Sequence, residues 1–147
     1  MVVSMARYKD MKITVSGRRI GPTKMVVKAG DFEITVDKLG GEAPSPLDYT
    51  LVALAGCMNI VGTLVAKDMK INIEDLDIEI DGTFNPGKLY GNGSERAGYK
   101  EVKVNIRVKS DADEETLKEW LERVEERCPV SDNLANVTPV HVKVERL

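Results

Sequence analysis

Ser45-Pro46-Leu47-Asp48, followed by Tyr49-Thr50-Leu51-Val52-Ala53-Leu54-Ala55-Gly56-Cys57-Met58-Asn59-Ile60-Val61-Gly62-Thr63-Leu64-Val65-Ala66, is the stretch whose reading decides the fold. Ser45 stands at an N-cap, Pro46 at the first helical position and Asp48 three residues after the cap, so the segment starts a helix with a capping box. The helix is expected to run to about Asp68. No residue from Tyr49 to Ala66 is charged, a run of 18. That length touches the lower limit for crossing a bilayer, but Thr50, Gly56, Asn59, Gly62 and Thr63 dilute the run and the rest of the chain is built for water. A helix apolar all round is therefore expected to be a long, buried, central one. A domain of this size can hardly enclose such a helix alone, which calls for a partner subunit over one side.

Upstream, Lys12-Ile13-Thr14-Val15-Ser16, Lys24-Met25-Val26-Val27-Lys28 and Phe32-Glu33-Ile34-Thr35-Val36 read as strands, divided by turn signals at Gly21-Pro22 and Ala29-Gly30-Asp31. Downstream, Ile71 to Phe84 and Val102 to Val108 alternate as half-exposed strands, joined by a long loop from Asn85 to Tyr99 of the kind that often lies over functional sites. A second helix is expected after Ser110, with Asp111 and Glu114 at capping-box spacing. Leu117, Trp120, Leu121, Val124 and Cys128 share its apolar stripe. After Pro129 comes a short turn or helix over 130–136, and Val140, Val142 and Val144 read as a closing strand. The fold class is α+β with antiparallel sheets, in one domain over 1–147.

The chain has 147 residues, 42% of them hydrophobic and 31% charged, with a net charge of -3. This composition suits an ordered domain and argues against general nucleic-acid binding, which needs a basic face. The first residues show no signal peptide or lipidation motif, so the expected location is the cytoplasm, with no membrane attachment. Two cysteines in that setting are not expected to form a permanent bridge, and the neutral reading of each is a buried apolar side chain. The lone His141 has no ligand-type residue at suitable spacing, so neither metal nor cofactor is expected. Gly40-Gly41 lacks the strand-to-helix setting of a nucleotide loop, and Trp120 is read as core.

The local sequence around both cysteines raises them above that neutral reading. Pro44-Ser45-Pro46-Leu47-Asp48 through Cys57 resembles the P-x-P-x-E-x-x-x-x-A-x-x-x-C helix of the Ohr/OsmC hydroperoxide-reductase superfamily, and Cys128-Pro129-Val130-Ser131 resembles its C-P-x-S motif. The order of elements also matches over nearly the whole chain. The resemblance implies an OsmC-like fold, an intertwined homodimer and a peroxidase acting on organic hydroperoxides. Cys57 would attack the O–O bond and become a sulfenic acid. Cys128 would condense with it to a disulfide, which an external dithiol, of lipoyl type, would reduce.

A thiolate at neutral pH needs a stabilising charge, since a free cysteine has a pKa of about 8.5. Cys57 sits too far along its helix for the dipole to act, and the helix has no basic residue before Lys67. Family peroxidases supply an arginine from the N-terminal strands, a region matched here by Arg19 and Arg18, with Arg19 slightly favoured and two solvated arginines as the plain alternative. The glutamate that holds that arginine falls at Leu47 in this chain. Asp48 instead matches the acidic position of the OsmC-like branch, but nine residues at about 100° place it opposite Cys57 on a straight helix, where a cap fits better than a clamp. Two functions follow: the two-cysteine peroxidase, favoured by both motifs, and an OsmC-like binding or redox-sensing protein with little turnover, favoured by Leu47.

Overall fold

Helix α1 covers Pro46–Met69 and begins as the capping chemistry requires. The Ser45 backbone N–H and hydroxyl donate to Asp48 Oδ2 at 2.9 and 2.8 Å, and the Asp48 N–H donates back to Ser45 Oγ at 3.1 Å. At its other end the Lys70 and Ile71 N–H groups donate to the Lys67 and Ala66 carbonyls, with Lys70 at φ 58°. This is a Schellman ending with lysine where glycine is usual. The computed structural model describes residues 8–147 and shows a mixed α+β fold of two antiparallel sheets and three helices. The chain divides into two compact units, one up to Tyr49 and one from Thr50 to Leu147.

The N-terminal unit is a meander of β1 (Val15–Arg19), β2 (Met25–Ala29) and β3 (Phe32–Val36). The expected third strand matches β3. The first lies three residues later than the alternation of Lys12 to Ser16 suggested, because pairing with β2 starts at Val15 opposite Ala29. After β3 the buried Asp37 organises the loop that leads to α1. Its carboxylate accepts from Thr23 Oγ1 at 2.7 Å, the Lys38 N–H at 2.7 Å and the Glu42 N–H at 2.9 Å. Gly41 passes so close that a Cβ there would lie 2.6 Å from the same carboxylate.

The second unit carries a ribbon of β4 (Ile73–Phe84) and β5 (Tyr99–Ser110), helix α2 (Glu114–Arg127) and helix α3 (Pro129–Ala135). Leu76, Ile78 and Ile80 stand opposite Val108, Ile106 and Val104, so one face of the ribbon is apolar and packs against the core. On the other face Asp77 stands opposite Arg107 and Asp81 opposite Lys103. Such exposed pairs add little stability but favour this register. The core is a stripe of α1 (Leu54, Met58, Val61, Val65 and Ala66) against Trp120, Val124 and Cys128. Full burial of Val65 and Val124 contributes roughly 1.5–3 kcal/mol each.

The expected long loop between β4 and β5 is present, and three other expectations change here. The α2 cap is Asp113, whose side chain accepts from the Thr116 N–H at 2.8 Å, and not Asp111. The loop after β4 is tied down by Glu95, which accepts from Asn85 Nδ2 at 2.5 Å and Lys100 Nζ at 2.6 Å, and no residue of it joins the core cluster. Val140, Val142 and Val144 are exposed and belong to no strand. They have the alternation, but a strand also needs a ladder neighbour, and none lies beside them among the described residues. Finally, α1 is buried on one face only, with Val52 and Ile60 59% and 63% exposed.

The Asp37 bonds hold its carboxyl down to about 2, with the Thr23 hydroxyl the largest cause and the Glu42 and Lys38 amides next. Because the folded value is depressed, this contribution is present above the unfolded value near 4 and is lost as pH falls toward about 2. Asp37→Asn should therefore lower the melting temperature at pH 6 and flatten its decline between pH 4 and 2. Thermal unfolding at a series of pH values checks this, and an unchanged slope would count against the Asp37 account.

Candidate active site

Cys57 lies on α1 at the edge of its buried stripe, half-buried, and packs against the core cluster. Cys128 approaches from α2. Trp120, Val124 and Cys128 recur at every fourth residue, so the stripe that holds α2 on the core also carries the second sulfur inward, where it is 0% exposed.

Cys128 ends α2 and caps α3 at once, with φ -79° and ψ 110°. Pro129 enforces that extended conformation on the residue before it and opens α3 without needing an amide partner. The Ser131 N–H then donates to Cys128 Sγ at 3.4 Å, so the sulfur occupies the place of a capping oxygen. Burial pushes the Cys128 thiol up from its ordinary value, the amides of Ser131 and Val130 pull the other way, and the neighbouring Cys57 thiol adds to the rise. A buried sulfur kept protonated therefore sits beside a sulfur that solvent can reach. Both are free thiols.

Arg18 and Arg19 lie on β1 in the N-terminal unit, opposite Val26 and Met25, and both are exposed. Successive strand residues point to opposite faces, so only one of them can face a given site. Neither makes an ion pair with another described residue. The Asp48 carboxylate is engaged by Ser45, whose backbone and hydroxyl groups lower its pKa. Among the described residues no group of three or more His, Cys, Asp or Glu side chains could hold a metal ion. A groove of about 290 Å³ runs between β5 and α2, lined by Ile106, Val108, Leu117 and Leu121 among others, and neither cysteine lines it. Sequence reasoning read Gly62 only as a residue that dilutes an apolar run. Its carbonyl accepts from Trp120 Nε1–H at 2.9 Å and a Cβ there would lie 2.8 Å from the indole, and neither is visible without the packing.

The family described as OsmC-like protein matches residues 39–143, a span that holds both cysteines. The chain belongs to the OsmC-like family. A protein of Mycoplasma pneumoniae named hydroperoxide reductase is 26% identical to this OsmC-like chain over 140 residues, covering 92% of this chain and 95% of the relative. One of Mycoplasma genitalium with the same name is 26% identical over 119 residues, 78% of this chain and 80% of that one. The crystal structure of an OsmC like protein from Mycoplasma pneumoniae superposes with a TM-score of 0.77 at 25% identity, covering 88% of this chain and 91% of that one. An organic hydroperoxide resistance protein OsmC from Legionella pneumophila shares the fold, with a TM-score of 0.62 at 18% identity and coverage of 86% and 91%. Arg18 and Arg19 precede the residues that the family match covers.

The difference in exposure between the sulfurs has a direct readout. In the reduced, folded protein, iodoacetamide at pH 8 should modify Cys57 roughly a hundredfold faster than Cys128, with the two rates converging in urea. Peptide mapping after timed quenching measures both. Equal native rates would mean that Cys128 is not held inside.

Proposed function

We propose that this OsmC-like protein is a thiol-dependent peroxidase that reduces organic hydroperoxides, with Cys57 as the attacking sulfur and Cys128 as the resolving one. The observation that carries the reading is the packing of the half-buried Cys57 thiol against the core cluster that holds the fully buried Cys128 thiol, the two being carried by separate helices. The hydroperoxide-reductase names of the mycoplasmal relatives support it.

In the first step the Cys57 thiolate attacks the terminal oxygen of the hydroperoxide. The O–O bond breaks, the alkoxide leaves with a proton as the alcohol, and the sulfur is oxidised by two electrons to a sulfenic acid. In the second, Cys128 attacks that sulfur, the S–O bond breaks and water leaves with the Cys128 proton. The raised pKa of Cys128 keeps it from competing for peroxide and makes closure faster as pH rises. An external dithiol, of lipoyl type, then supplies two electrons and two protons and restores both thiols by exchange. No cofactor enters these steps. We assign the reaction to the cytoplasm, where such reductants are kept reduced.

The charge that favours the Cys57 thiolate is assigned to Arg19, with Arg18 as the alternative on the opposite face of β1. Asp48 serves by fixing the start of α1, and so the placement of Cys57, rather than by clamping the arginine. Residues 1–147 act as one domain, and two copies form an intertwined homodimer in which α1 is central. The support is the exposed apolar face of α1, with Val52, Ile60 and Leu64, together with the uncovered Val140, Val142 and Val144. Light scattering at micromolar concentration should give twice the 16.2 kDa chain mass. A folded monomer under those conditions would overturn the dimer.

Turnover of cumene hydroperoxide with a dihydrolipoyl reductant, compared with hydrogen peroxide, tests the peroxidase. Cys57→Ser should abolish peroxide reduction, whereas Cys128→Ser should permit one oxidation and then stall as a sulfenic acid that dimedone traps. Leu47, where a clamping glutamate would stand, favours the second reading, a binding or redox-sensing protein. Disulfide formation by the parent protein without sustained turnover would select that reading.

A further inference from the structure

Inside the core, one glycine and one tryptophan bring the two cysteine-bearing helices into contact. Trp120 is 2% exposed, and its Nε1–H donates to the Gly62 carbonyl at 2.9 Å in the buried interior. A Cβ on residue 62 would lie 2.8 Å from Trp120 Cζ2, closer than real Cβ contacts come. The indole can rest on α1 at this height only because residue 62 has no side chain.

We propose that the Gly62–Trp120 contact is a spacer that sets the approach of Cys128 to Cys57, which makes Gly62 and Trp120 positioning residues for disulfide closure. Closure is the second step of the peroxidase reading above, and the inference rests on that reading for its place in the cycle. Trp120, Val124 and Cys128 lie on one stripe of one helix, so lifting α2 at Trp120 moves Cys128, about 12 Å further along the same rod. On the other side, Gly62 follows Cys57 by five residues, little more than one turn of α1. To close, the sulfurs must come within about 2.05 Å of each other, with Cα and Cβ separations in narrow ranges. A displacement of the order of one methyl group is therefore felt in closure. Attack on peroxide uses the half-exposed Cys57 alone and does not depend on the height of α2. The indole N–H adds direction, since its bond to the Gly62 carbonyl fixes which edge of the ring meets the backbone.

Stopped-flow oxidation of the full chain separates the steps. Sulfenate formation is followed by dimedone trapping in the Cys128→Ser background, and closure by loss of both free thiols with Cys128 present. Gly62→Ala should slow closure about tenfold or more while changing sulfenate formation by less than about twofold. Trp120→Phe removes both the donor and the ring atoms that meet residue 62. Alone it should slow closure severalfold, and combined with Gly62→Ala it should close faster than Gly62→Ala alone, because the methyl gains room. If Gly62→Ala does not fold, Trp120→Phe carries the test through the same comparison of steps.

Diamide provides a second oxidant. It takes two electrons and two protons from a pair of thiols to become the hydrazine, and so closes the disulfide without peroxide. A parent protein inert to cumene hydroperoxide whose diamide closure is slowed by these substitutions would sink the peroxidase and uphold the spacer. Unchanged closure rates in the folded variants, an equal fall in both steps, or failure of diamide to join the two cysteines would overturn the spacer.

Discussion

The bond from the Trp120 indole to the Gly62 carbonyl, at 2.9 Å inside the core, ties α2 to α1 where neither helix can turn to water instead. An indole brings a large apolar surface and one obligatory donor, and burial demands that the donor be satisfied. Here the partner is a backbone carbonyl of the facing helix, exposed to the ring because glycine offers no side chain to cover it. Once that contact is made, Val65 and Val124 close the interface on full burial, and the next turn of α2 delivers Cys128 to α1. The β4–β5 ribbon then seals the remaining side with its row of branched aliphatic residues.

Burial gives two chemically identical side chains different properties. Cys128 is sealed between helices and its sulfur caps α3, so desolvation outweighs the amides that would favour a thiolate. Cys57, on the rim of the same cluster, remains reachable. On the proposed peroxidase reading this difference sets an order, in which the reachable sulfur meets the oxidant first and the buried one then reacts with its neighbour. The cap sharpens the arrangement: the Cys128 sulfur accepts from the Ser131 N–H at 3.4 Å, and Pro129 restricts the backbone of the residue before it.

Local signals were legible in the sequence, and signals that depend on a distant partner were not. Ser45, Pro46 and Asp48 announced α1, and the stripe from Leu117 to Cys128 announced α2 and the inward direction of Cys128, because capping and helical periodicity are written in consecutive residues. Alternation found β3 but misplaced β1, whose limits are set by pairing with β2. Alternation at Val140, Val142 and Val144 promised a strand that has no neighbour among the described residues. Asp37 gave no sign of its role, because Thr23 and Glu42 reach it across turns. Gly62 was read only as a residue that dilutes an apolar run. Its importance appears once Trp120, 58 positions later, is seen resting on it.

The exposed face of α1 raises a choice between lipid and protein. By length and composition α1 could cross a membrane, with a mean hydropathy of 1.7 over its best window, of which 33% is buried; a core helix of a water-soluble protein passes the same test. The neighbours of α1 decide the matter. Its buried face packs against a two-stranded ribbon whose outer surface carries Asp77, Glu79, Asp81, Lys103 and Arg107, and each strand of that ribbon has one unpaired edge in the chain as described. Hydrocarbon does not accept open sheet edges or rows of charge, because backbone groups there have no water to satisfy them. A bilayer that α1 crossed would also have to take in that ribbon. A protein surface has no such difficulty: it can cover the apolar face of α1 while the charged face of β4 and β5 stays in water. The exposed stripe of α1 is therefore better matched to another polypeptide than to lipid, and a second copy of the chain offers the same uncovered stripe in return.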